Sequence, residues 1–293
     1  MIHETIDVWG HGEGSEGSYR GDMGDGFAPV IDTYVLDGNK RRAAVLICPG
    51  GGYGFLSPRE AEPIALQFNA AGYHAFVLHY SVAPRRHPLP LLDVSKALCV
   101  LRRRAEEYNI HSGRIALCGF SAGAHLAASL GVYWDKPLSL SGAGGVKDLN
   151  GQTFTPTGIE PGMNRPDALI LCYPVITSGS FAHKGSFENL LGPGAGPETL
   201  AEVSLELHVN EKTPPAFIWH TYADEGVPLE NSFLFAGALR AAGVPFEYHV
   251  YPEGPHGLSL ATEETSVDGK EPNPHVSSWM YLCVEWLGEQ FED

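Results

Sequence analysis

The sequence predicts an α/β fold: a mostly parallel central sheet with helices on both faces. Three observations carry that expectation. Short continuous apolar runs at residues 43–48, 73–80 and 114–118 are of the kind found in strands buried on both faces. Between them lie residues 58–71 and 91–108, which read as helices, so the order is strand, helix, strand, helix, strand. The alternation resumes downstream with strands at 167–172, 216–222 and 246–251 and a helix at 229–242.

Taken in order, residues 10–26 are rich in Gly and acidic side chains and read as an exposed arm without a core-forming pattern. Ile31, Thr33 and Val35 alternate with other residue types, and Asp37-Gly38 is a hairpin signal. The buried strand 43–48 runs into Pro49-Gly50-Gly51-Gly52-Tyr53. The helix at 58–71 begins with Pro58 and is stopped by Gly72. A proline-rich crossover leads to the amphipathic helix at 91–108, then to the strand ending at Cys118 and a helix ending near Gly131. Residues 135–166 show no periodicity, and 178–212 are loop-rich, with Phe181, His183, Phe187 and Leu190-Leu191 as anchors. Gly243 closes the helix at 229–242. A last helix at 274–291 places Trp279, Leu282, Cys283 and Trp286 on its apolar face.

A chain of 293 residues with 43% hydrophobic residues can build a sizeable core. Its formal net charge of −16 argues against a nucleic-acid or anionic-membrane footprint; it reads first as simple solubility and is also compatible with a neutral or apolar substrate. The five cysteines each lie in or beside an apolar run, without C-x-x-C, and read as buried free thiols. No signal peptide or membrane span is visible, so a cytoplasmic setting is expected.

The candidate reactive residue is Ser121 in Gly119-Phe120-Ser121-Ala122-Gly123, set between an apolar strand and a run of small helix formers. Strand, sharp turn and helix are the context of a nucleophile elbow, with flanking glycines allowing the close approach that the turn needs. Such a serine requires a base, an acid that orients the base, and amide donors for a developing oxyanion. Asp224 lies just past the strand at 216–222, with Glu225 as the fallback, whereas Asp167 begins its strand and points to the other end of the sheet. His256 follows the last strand in Glu253-Gly254-Pro255-His256-Gly257. His249 lies within that strand, His125 points away from the serine, and His220 with Asp224 lacks the further ligands of a metal site. The three glycines after Pro49 free backbone amides to face a ligand. With no lysine at the spacing of a phosphate loop, an oxyanion hole fits them better.

The chain order Ser121, Asp224, His256 and five stretches now carry a resemblance: PGGGYGFLSPRE, HYSVAP, GFSAGAHLAA, TPPAFIWHTYADEGVPLENS and YPEGPHGLSLA. From about Ala43 to about Ser259 the chain resembles an α/β-hydrolase of the esterase and lipase group. That group spans hormone-sensitive-lipase-like esterases and bacterial acetylxylan (BD-FAE-type) or feruloyl-type carbohydrate esterases. Pro49 stands where the lipase-like pattern has His, and Ser81 where it has Arg, which favours the carbohydrate-esterase or peptidase-related side.

The resemblance implies one α/β-hydrolase domain over 1–293 with loop-rich insertions at about 135–166 and 178–212, and oxyanion amides from Gly51, Gly52 and Ala122. It implies a serine esterase that removes short acyl groups, acetyl foremost, from a small-molecule ester or an acetylated oligosaccharide. No metal or organic cofactor is required. The alternatives are a general short-chain carboxylesterase, a prolyl-oligopeptidase-like peptidase, and an inactive fold used for binding. A homo-oligomer is left open.

Overall fold

A computed structural model describes residues 1–10, 27–136 and 156–292, with the backbone of two short strands between the last two spans. The predicted arm at 10–26 lies, beyond its first residue, outside the described residues, as does part of the insertion at 135–166.

The elements in chain order are β1 (Thr5–Asp7), β2 (Val30–Tyr34), β3 (Arg42–Cys48), α1 (Glu62–Ala70), β4 (His74–His79), α2 (Leu89–Arg103), β5 (Ile110–Phe120) and α3 (Ala122–Tyr133). They continue with β6 (Val146–Lys147), β7 (Thr153–Phe154), β8 (Ala168–Cys172), α4 (Lys184–Leu191), α5 (Pro197–Glu202), β9 (Ala216–Thr221), α6 (Glu230–Ala242), β10 (Phe246–Tyr251) and α7 (Pro274–Phe291). Eight strands form one sheet in the order β1-β2-β4-β3-β5-β8-β9-β10, and β6 pairs only with β7. From β4 to β10 the neighbours run parallel, while β1 and β2 are antiparallel at one edge.

The apolar runs became central strands because both their faces are covered. In β3, Ala44, Leu46 and Cys48 enter one core while Val45 and Ile47 enter the other. In β5, Ile115 and Leu117 alternate in the same way with Ala116 and Cys118. The first core is closed by α2, α3 and α6 (Leu98, Leu126, Phe235) and the second by α1 and α7 (Phe68, Trp279). Trp279 is fully buried and stacks on Trp219 at a centroid distance of 5.3 Å. Truncating such a side chain to Ala costs about 3–5 kcal/mol. All five cysteines are buried and unpaired.

Two expectations need correction. Asp37-Gly38 does not make a hairpin, because β4 inserts between β2 and β3 and pairs with both. The helix predicted over 58–71 is split: a 3-10 turn (Pro58–Glu60) precedes α1, with Ala61 at φ −111°, ψ −107° between them. The loop-rich insertion at 178–212 also holds short helices, which were not predicted. It carries α4, α5 and a 3-10 turn (Leu205–Leu207), and Phe187, Leu190 and Leu205 join the first core. The stop at Gly243 is as expected, and the cap at Asn273 is an addition. Gly243 caps α6 at φ +74°, and Asn273 accepts from His275 N and Val276 N at the start of α7.

Candidate active site

Ser121 stands between β5 and α3 with φ 54°, ψ −117°, a backbone conformation that L-residues rarely adopt. Neighbours on both sides hold it there. Ser121 N donates to Cys172 O at 3.0 Å, and Ser121 O accepts from Val175 N at 3.2 Å. The turn also needs its glycines. A Cβ on Gly119 would come 2.2 Å from Gly123 O, and one on Gly123 would come 2.1 Å from Cys48 O.

The parallel register brings the ends of β5, β9 and β10 together, and three side chains meet there. Ser121 Oγ lies 2.7 Å from His256 Nε2, and His256 Nδ1 lies 2.7 Å from Asp224 Oδ2. A carboxylate only accepts, so Nδ1 carries the proton and Nε2 is left to accept from the serine hydroxyl. Asp224 is buried, and its Oδ1 accepts from Gly226 N (2.9 Å) and Val227 N (2.8 Å). Burial alone would raise its carboxyl. Hydrogen bonds from His220 and His256 prevail and hold it well below the usual carboxylate range.

His220 is the member of this network that spacing alone did not expose. Its Nε2 faces two acceptors, Asp224 Oδ2 and Val227 O, both at 3.1 Å, so Nε2 carries its proton. Its Nδ1 then accepts from Ser232 Oγ at 2.8 Å. The nearness of His220 to Asp224 in the chain was the available signal, and it reflects hydrogen bonding. The set-aside candidates lie elsewhere. Asp167 pairs with Arg102 at 2.7 Å, Glu225 is exposed, and His249 meets Glu247 at 2.6 Å.

The glycine loop faces the serine across a cavity of about 420 Å³, lined by Gly51, Gly52, Ser121 and His256 among others. Gly51 has φ +128° and Gly52 φ +62°, which only glycine adopts without strain. Tyr80 Oη fixes the loop at Pro49 O (2.6 Å), Ser57 N at Gly50 O (3.0 Å) and Asn189 Nδ2 at Gly52 O (2.9 Å). Among the described residues, no acceptor takes the amides of Gly51, Gly52 or Ala122.

Two buried polar groups brace this loop. Glu60 accepts from Gly50 N (2.8 Å) and Tyr173 Oη (2.6 Å), and Tyr173 Oη accepts in turn from Ser259 N (3.0 Å) beyond His256. Tyr53 Oη lies 2.8 Å from His125 Nδ1, and His125 Nε2 lies 2.8 Å from Val203 O. Since Val203 O only accepts, Nε2 is the protonated nitrogen and Tyr53 donates to Nδ1. Among the described residues, no group of three His, Cys, Asp or Glu converges as a metal site, and no helix is long and apolar enough to cross a membrane.

Sheet order, elbow and loop placement together define an α/β-hydrolase fold. Within that fold the chain belongs to the BD-FAE family, whose model it matches over residues 31–239. It is 40% identical to endo-1,4-beta-xylanase B of Butyrivibrio fibrisolvens over 85% of its own length and 38% of that protein. It is 29% identical to an acetylxylan esterase of Xylanibacter ruminicola over 81% of its length and 45% of that protein. The chain therefore spans less than half the length of these two curated relatives. Among solved structures, it is similar to an acetyl ester-xyloside bifunctional hydrolase from Caldicellulosiruptor lactoaceticus, with a TM-score of 0.81, 37% identity and coverage of 98% and 96% of the two chains. It is also similar to the carboxylesterase Cest-2923 of Lactobacillus plantarum, with a TM-score of 0.76, 26% identity and coverage of 99% and 97%. These likenesses place the chain in a carboxylesterase-like hydrolase family.

Proposed function

We propose that the chain is a serine esterase that removes short acyl groups, acetyl foremost, from acetylated xylo-oligosaccharides. The observation that carries the reading is the relay Ser121–His256–Asp224, both contacts at 2.7 Å, opening on a cavity whose glycine loop keeps free amides. As Ser121 Oγ bonds to the ester carbonyl carbon, His256 Nε2 takes its proton. Asp224 holds the ring and stabilises the imidazolium. Amides of Gly51 or Gly52 and of Ala122 receive the developing oxyanion. The bond to the alcohol oxygen breaks as His256 returns the proton to it. Water then attacks the acyl carbonyl carbon while giving a proton to His256, and the bond to Ser121 Oγ breaks as His256 passes that proton to it.

The sugar half of the reading draws on the acetylxylan esterase and the acetyl ester-xyloside hydrolase to which the chain is similar. Likeness to a carboxylesterase favours a second reading, a general short-chain esterase. Initial rates on acetylated xylo-oligosaccharide, nitrophenyl acetate and nitrophenyl octanoate, with wild type and Ser121→Ala, separate the two. Acetate released from the sugar and lost in the variant is the expected result. Cleavage of nitrophenyl esters with the sugar untouched would favour the second reading. Turnover that survives Ser121→Ala would contradict both.

A further inference from the structure

The cavity in front of Ser121 is lined by two cations, Arg59 and Lys270, and one carboxylate, Glu60. Glu60 is already engaged at both oxygens, by Gly50 N and Tyr173 Oη. Arg59 is anchored from behind, with Nε donating to Thr265 O (2.6 Å) and Nη1 to Gly257 O (2.9 Å). Its Nη2 is buried and has no partner among the described residues.

Lys270 is delivered by a tight turn in which its backbone N–H donates to Val267 O at 2.8 Å across Asp268 and Gly269. Its ammonium lies beside Gly257, 2.8 Å from where a Cβ on that glycine would stand. The side chain is half-buried, and among the described residues Nζ makes no ion pair or hydrogen bond. Burial first, then the Arg59 guanidinium, pull the lysine below its ordinary value, with partial offset from Glu60 and Asp224. A freely solvated lysine would extend into water, away from another cation. Arg59 and Lys270 outnumber the Glu60 carboxylate on this wall, and a further anion there would favour both charged forms. On the far side of His256, Lys270 borders a depression carrying the exposed Glu225 and Glu253, which repels anions there. The attraction is thus confined to the side that faces Ser121, in a chain whose net charge is −16.

We propose that Lys270 and Arg59 form a carboxylate-binding subsite beside Ser121, selecting esters that carry a carboxylate near the scissile bond. This rests on the esterase reading above. The carboxylate can belong to the acyl group, as in a half ester of a dicarboxylic acid, or to the alcohol, as in a sugar bearing a uronic acid. Either source meets the Lys270 ammonium, with the Arg59 charge set behind it.

Two substrate pairs distinguish the sources: nitrophenyl acetate against the nitrophenyl half ester of adipic acid, and acetylated xylobiose without and with a glucuronic acid substituent. The quantity read is the ratio of kcat/KM for the charged member to that for the neutral one. Lys270→Gln is expected to lower that ratio about five- to tenfold in the pair that carries the natural placement, as for a partly desolvated charge pair. Lys270→Arg restores most of it, and 1 M salt narrows the difference. A ratio unchanged by Lys270→Gln in both pairs overturns the subsite. Binding of glucuronic-acid-substituted xylobiose and of adipate to Ser121→Ala, with and without Lys270→Gln, reads the same subsite without turnover. Weaker binding of either anion in the double variant supports it, and equal binding of both contradicts it. Serine-dependent turnover that ignores charge sinks the subsite alone. Charge-selective binding without turnover sinks the esterase reading alone.

Discussion

His125 ties three parts of the site together, and its protonation offers a quantitative test of the packing. It sits on α3, four residues after Ser121, is 1% exposed, and bonds Tyr53 of the glycine loop and Val203 of the insertion. Burial pushes it from 6.5 down to about 4. The folded protein therefore holds it neutral through a range in which the unfolded chain binds a proton. Such a group costs nothing above pH 6.5 and removes stability as the pH falls from there to about 4. At about 1.4 kcal/mol per pH unit, the loss by pH 5 is about 2 kcal/mol. His74 and His87 are also pushed down to about 4, so the wild type loses more than this in total. His125→Gln keeps a donor and an acceptor but removes the titration. Urea unfolding at pH 7.5 and pH 5 should show the variant less stable at pH 7.5 yet losing about 2 kcal/mol less on acidification. An equal loss in both proteins would refute the argument that His125 is held neutral by burial.

Other substitutions probe the remaining contacts. Asp224→Asn removes the acceptor that fixes the His256 tautomer, so kcat should fall by about 10⁴ with the fold intact by circular dichroism. Gly51→Ala forces a Cβ to 2.1 Å from Phe55 O at φ +128°. It should lower kcat by about a hundredfold or more, measured on nitrophenyl acetate. Glu60→Gln sets an amide against Gly50 N or Tyr173 Oη and should lower unfolding stability by about 2 kcal/mol in urea.

The central sheet was legible because its strands are buried on both faces and so appear as uninterrupted apolar runs. The helix at 274–291 was legible from its apolar face of Trp279, Leu282, Cys283 and Trp286, and the structure gives it the same bounds. Pairing was harder to read. Asp37-Gly38 looks like a hairpin, yet the β3-to-β4 crossover returns β4 to lie between β2 and β3, a nonlocal choice that no local residue announces. The short helices inside the loop-rich insertion at 178–212 were not legible, because they are held by a few anchors such as Phe187 on the core and not by a long apolar stripe. At the site, Ser121, Asp224 and His256 could be picked out because each follows the carboxyl end of a strand, and the structure brings them together. His220, Glu60, Tyr53 and Lys270 could not, since their meaning depends on which atoms they meet across the fold. Lys270 in particular is hidden by an overall charge of −16, which reads first as solubility.

The most direct test of the nucleophile assignment is covalent labelling with a nitrophenyl phosphonate, followed by intact-mass and peptide analysis of wild type, Ser121→Ala and His256→Ala. One adduct per wild-type chain is expected, located on Ser121. Ser121→Ala should carry none, and His256→Ala, which lacks the base, should label slowly. An adduct on another residue, or ester turnover that persists in a chain whose Ser121 is fully blocked, would contradict the assignment.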